Sequence, residues 1–150
     1  MKSEILDNYL KAAEDFVTAA NAVNPEKLLT ASVEGDWPGA YVIHHMADFE
    51  IHFSHRFLRI LTENNPIIDS YDESLYVDLL NYQARDVDSS LAAILATRKL
   101  IHAILSKSDE AVLNRPARHS EKGDIILQNI LQSSIGHIKN HTQQLLQATA

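Results

Sequence analysis

The chain contains no cysteine. Disulfides, a protein thiolate nucleophile and thiolate-ligated metal are therefore excluded, and any thiol chemistry needs a thiol brought in from outside. Glycine and proline are sparse, four of each in 150 residues. A β-sandwich needs turn signals every ten residues or so, and this composition cannot supply them. Basic residues are outnumbered, thirteen against twenty acidic, for a net charge of −7. With no Lys/Arg run, a phosphate backbone would be repelled, so nucleic acid is not an expected partner. No apolar run approaches the ~20 residues of a membrane span, and Met1-Lys2-Ser3-Glu4 lacks a signal-peptide pattern. The expectation is a cytoplasmic protein without a membrane partner, folded as one domain over residues 1–150.

What is present is helical periodicity. Ile5, Tyr9, Ala12, Ala13, Phe16, Ala20 and Val23 recur at three- and four-residue steps, predicting a helix over about 4–23 that Asn24-Pro25 ends. A turn cluster, Glu34-Gly35-Asp36-Trp37-Pro38-Gly39, leads into a second segment over about 38–62, with Asp36 as its expected cap and a stripe of Val42, Met46, Phe49, Phe53, Phe57 and Ile60. A third segment is expected from about Asp72 to Ser106, kinked or broken between Asp86 and Ser90. Residues 107–123 read as irregular, and a fourth segment starts near Asp124, a candidate cap, and runs to about Gln147. No strand alternation stands out. Four long amphipathic segments predict an all-α protein, a four-helix bundle.

Histidine is abundant, eight residues. At about 100° per residue, His44 and His55 fall on the outer face of the second segment, while His45 lies at the edge of the apolar stripe. His52 lies further along that edge. His137 and His141 share the apolar face of the fourth segment one turn apart. Two imidazoles at that spacing can bind one metal ion, and His45 is the best-placed third ligand if the two helices are neighbours. A coincidental pair and a core histidine with one hydrogen bond are the competing reading. The metalloprotease pattern fails because Ile138 stands where its glutamate belongs, and no histidine has a glutamate three residues before it, as di-iron bundles require.

Arg98 and His102 lie one turn apart on the core-facing stripe of the third segment. A buried arginine needs a carboxylate, and Glu50 is the candidate; a structural ion pair is favoured over a catalytic role. Gln144 lies close to one turn beyond His141, placed to touch its ring. His119 is expected at a pocket mouth or in solvent, and His102 beside a ligand or satisfied in the core.

Trp37, His45 eight residues later and Met46-Ala47-Asp48-Phe49-Glu50 resemble the second-helix signature of the DinB/YfiT-like superfamily. Tyr71-Asp72-Glu73, Arg98, the His119–Gly123 loop and Gly136-His137-Ile138-Lys139-Asn140-His141 followed by Gln143-Gln144 continue the resemblance in order. Tyr76 stands where the family often has tryptophan, and Asn140 where many members carry another histidine. The resemblance implies a four-helix bundle, often a homodimer, with one divalent metal on His45, His137 and His141. Zinc is the expected ion, with nickel, iron or manganese as alternatives. It further implies a small-molecule substrate and S-transfer from a low-molecular-weight thiol such as bacillithiol or mycothiol. Hydrolysis by metal-activated water is the close variant, and a non-catalytic metal- or ligand-binding stress protein the alternative.

Overall fold

The computed structural model describes all residues, Met1–Ala150. Four long helices form the body: α1 (Lys2–Asn21), α3 (Gly39–Thr62), α5 (Val87–Ser106) and α6 (Leu127–Ala148). Two short helices, α2 (Pro25–Leu28) and α4 (Tyr76–Leu79), sit in the connections. α1 packs on α5 and α6, and α3 packs on the same two, so α1 and α3 lie on one diagonal of a four-helix bundle. This arrangement makes α3 and α6 neighbours, and the site depends on it. No helix is long and apolar enough to cross a membrane.

The apolar stripes meet in one core. Leu6, Tyr9, Ala13 and Phe16 of α1 join Val42, Met46, Phe57 and Ile60 of α3, Ile94 and Ile101 of α5, and Leu131, Ile138 and Leu145 of α6. At about 25 cal/mol per Å² of apolar surface removed from water, this burial is the main term holding the helices together. The start of α3 presses closely on the end of α6. A Cβ at Gly39 would come within 2.9 Å of Thr149 Cγ2 and 3.1 Å of Leu145 Cδ1, so only glycine allows that approach without repacking.

Several sequence expectations need correction. The third segment does not begin near Asp72. Residues 80–86 form no long helix, and α5 starts at Val87, where Asp86 caps it by accepting from the Ser89 N–H at 2.9 Å. Asp36 does not cap α3; the capping position is Pro38, which offers no side-chain acceptor. Asp124 does not cap α6, because it lies in a strand; instead Asn129 Oδ1 accepts from the Ile126 N–H at 2.8 Å. The stretch read as irregular contains β2 (Pro116–His119) and β3 (Gly123–Ile126), an antiparallel hairpin whose β2 also pairs in parallel with β1 (Ile67–Ile68). Strands of two to four residues are too short for alternation to register.

Candidate metal centre

His45 stands near the start of α3, His137 at the middle of α6 and His141 one turn further on. The helices run antiparallel, so these levels coincide. His45 Nε2 lies 3.1 Å from His141 Nε2, which lies 3.1 Å from His137 Nε2. The three side chains form the metal-capable cluster of the molecule.

The outer nitrogens say which way the inner ones face. His141 Nδ1 lies 2.6 Å from Gln144 Oε1, an acceptor, so the ring proton is assigned to Nδ1. His45 Nδ1 faces Glu73 Oε2 at 3.4 Å, longer than a hydrogen bond. With the His141 proton on Nδ1, its Nε2 presents a lone pair to the Nε2 atoms of both other rings. A divalent ion roughly 2.0–2.1 Å from each imidazole nitrogen gives nitrogen–nitrogen separations of about 3.0–3.4 Å, so the cluster fits one. Burial lowers the pKa of all three rings, that of His137 to about 3, helped by the neighbouring His141 and His45. The imidazoles are therefore neutral near pH 7, the form that donates to a metal.

The rings are held in place by packing. Phe49 stacks on His137 with centroids 3.8 Å apart and planes 12° from parallel. Trp37 meets His45 edge-on at 5.6 Å. Above the nitrogens opens a cavity of about 710 Å³, lined by the three histidines with Trp37, Glu73 and Gln144 among others. Burial raises the pKa of Glu73, with opposing influence from His141 and His52.

The remaining candidates separate into near and far. Gln144 is at the cluster. Glu50 and Arg98 form a fully buried bidentate pair, Nε to Oε2 at 2.8 Å and Nη2 to Oε1 at 2.7 Å, away from the cavity. Arg98 also donates to the carbonyls of Tyr9 and Ser134, which matches a structural tie between α1, α3, α5 and α6. His102 is neither in the core nor at the pocket: it points towards Asp7, Nε2 to Oδ1 3.3 Å, at the α1–α5 surface. His119 is buried in the hairpin, where Nδ1 accepts from the Glu121 and Lys122 N–H groups. His52 bonds the Tyr76 hydroxyl and stacks on Tyr71.

His44 corrects the sequence reading most sharply. It was expected in water but is fully buried, its Nδ1 2.8 Å from Ser90 Oγ and its ring against Tyr82. Burial pushes its pKa down to about 4, with help from Arg85. Every residue from Val42 to Glu50 is buried, because α5 and the 80–86 connection cover the face that a single-stripe reading leaves open. Glu73 was not singled out for the site. It comes from a connection, and only tertiary structure carries it over His45; its place in Tyr71-Asp72-Glu73 was the one available signal.

Comparison with known proteins identifies the family and the fold. Residues 8–145 match the family model of the DinB superfamily. The chain is 31% identical over 119 residues, 79% of this chain and 69% of the relative, to a protein of Oceanobacillus iheyensis named as an inferred metal-dependent hydrolase. It is 28% identical over 146 residues, 94% of this chain and 82% of the relative, to YfiT of Bacillus subtilis, which carries the same inferred description. The solved structure of YfiT, described as having an unusual four-helix bundle topology, superposes with a TM-score of 0.86 at 25% identity, covering 99% of this chain and 85% of that one. With the family match over residues 8–145 and the shared bundle topology, the chain belongs to the DinB superfamily.

Proposed function

We propose that His45, His137 and His141 hold one divalent metal ion, and that the protein is a metal-dependent enzyme turning a small nucleophile on a small electrophilic substrate. The nucleophile we favour is a low-molecular-weight thiol, with water as the hydrolytic variant. One observation carries the reading: the Nε2 atoms of three imidazoles, the His141 ring oriented by Gln144, stand at successive 3.1 Å spacings at the edge of an open cavity.

A divalent ion at this donor set supplies Lewis acidity, lowering the pKa of a thiol or water in an open position. Neutral imidazoles leave the ion its full charge, and zinc suits them, with nickel, iron and manganese set by availability. The chain's own residues then have definite tasks. Gln144 Oε1 holds the His141 ring by its Nδ1–H. The half-exposed Glu73 carboxylate faces His45 Nδ1 at 3.4 Å and would take the nucleophile's proton. Phe49 fixes the plane of His137. Trp37 walls the cavity beside His45. The absence of cysteine is consistent with a nucleophile that comes from solution.

Support for the hydrolytic variant comes from the relatives, which are named for metal-dependent hydrolysis. The test is steady-state turnover of an activated aryl halide and an activated ester, each with and without added thiol, before and after chelation. Chelator-sensitive turnover of the halide that requires thiol is the expected result. Chelator-sensitive ester cleavage without thiol selects the hydrolytic variant. Neither activity in the metal-loaded protein overturns both in favour of a metal-binding bundle.

A further inference from the structure

The cavity above the histidines has a one-signed lining. Its only acidic side chains are Asp36 and Glu73; no lysine or arginine is among its twelve residues. Its other polar side chains are uncharged, chiefly Gln144, Gln147 and Ser32. Arg85, on the connection beside Tyr82, is already paired with Asp48 at 2.7 Å. Glu73 meets only the neutral His45 ring, and Asp36 is exposed and forms none of the ion pairs. Trp37 adds an aromatic surface, edge-to-face with Tyr41 and Tyr82 at 6.3 and 6.4 Å. Carboxylates beside an indole are the surroundings that suit an ammonium group. They offer an anionic arm no partner, and the net charge of −7 repels it further.

On the metal-enzyme reading above, we propose that the molecule bound in this cavity carries a cationic arm, a primary or quaternary ammonium received by Asp36, Glu73 and Trp37, and that carboxylate- or sulfonate-bearing partners are turned away. A divalent ion at the histidines offsets the two carboxylates in sum. The discrimination therefore comes from the arm that reaches Asp36, and not from the reacting end. Anionic low-molecular-weight thiols are poor co-substrates on this account, while amine-bearing or uncharged ones are admitted.

The test is a binding titration that needs no turnover. The protein is loaded with cobalt(II), and the thiolate-to-cobalt absorption band is followed against three thiols sharing a two-carbon spacer: thiocholine, 2-mercaptoethanol and 2-mercaptoethanesulfonate. The expected order is thiocholine, then the alcohol, then the sulfonate. At low salt the ends of the series should differ by roughly tenfold or more. The gap should shrink in about 0.5 M salt. Asp36→Asn should narrow it to within about threefold, since one unit charge near the arm is removed. Equal affinities, tightest binding by the sulfonate, no band with any thiol, or a gap untouched by Asp36→Asn overturns the inference. In each of those cases cobalt bound by wild type and lost in His45→Ala leaves the metal reading standing. Cobalt binding that is absent, or the same in His45→Ala, removes the metal reading and this inference with it.

Discussion

Two buried polar clusters share helices α3 and α6, and they end differently. At Glu50–Arg98, the carboxylate takes two charge-assisted bonds, and the guanidinium places its other donors on the carbonyls of Tyr9 and Ser134. Every side-chain nitrogen and oxygen of the pair has a partner, and both residues are fully buried. At His45–His137–His141, Gln144 bonds the outer nitrogen of His141, the outer nitrogen of His137 is buried without a partner, and the inner nitrogens crowd at 3.1 Å beside about 710 Å³ of open space. A buried polar group with every bond made is a tie between helices. Nitrogens that converge on one point can share a ligand. Separation of the two roles is a testable property of this bundle.

The largest expected effect breaks the closed cluster. Arg98→Met leaves Glu50 buried without its cation and should cost about 3–5 kcal/mol in urea unfolding. The double variant Glu50→Leu/Arg98→Met should recover most of that loss, because no charge remains to desolvate. A double variant as unstable as the single one would contradict the ion-pair account.

A second test works on the open cluster alone. Gln144→Leu removes the acceptor that orients His141. Zinc affinity should fall about 10–100-fold by competition with a chromogenic chelator. The metal-free unfolding midpoint should stay within experimental scatter. A stability loss with metal affinity intact would place Gln144 with the structural ties instead.

The third test reads a slope in pH and has the smallest effect near neutrality. His44, buried against Ser90, has a folded pKa of about 4 against an ordinary 6.5, and His137 about 3. The unfolded chain therefore binds more protons than the folded one between these values. The stability contributed by keeping these rings neutral is full above pH 6.5 and is lost as pH falls towards 4. Metal-free protein should show this slope in denaturant titrations, and His44→Gln should flatten it. An unchanged slope in the variant would mean His44 is not held neutral by burial.

Much of the bundle was legible because its stripes repeat over twenty or more residues, as in α1 and α6. The Glu50–Arg98 pairing was legible too, since a stripe arginine must find a carboxylate. The hairpin of β2 and β3 was not, its strands being four residues each. His44 and His102 were misjudged for opposite reasons. Helical angle alone does not show that the 80–86 connection and α5 bury the back of α3, nor that a position near the end of α5 opens to Asp7 and solvent. The proximity of His137 and His141 follows from a four-residue step on one helix. The approach of His45 requires α3 beside α6, which amphipathicity alone does not fix. Glu73 and Asp36 reach the cavity from connections, where periodicity carries no information.

The most direct test of the central claim is metal stoichiometry by calorimetry with elemental analysis, on wild type and His45→Ala. The account predicts one divalent ion per chain in wild type, stoichiometric binding abolished in His45→Ala, and helical circular dichroism unchanged between them. Wild type that takes up no ion, or His45→Ala that binds it as tightly, would contradict the claim that these three imidazoles form a metal centre.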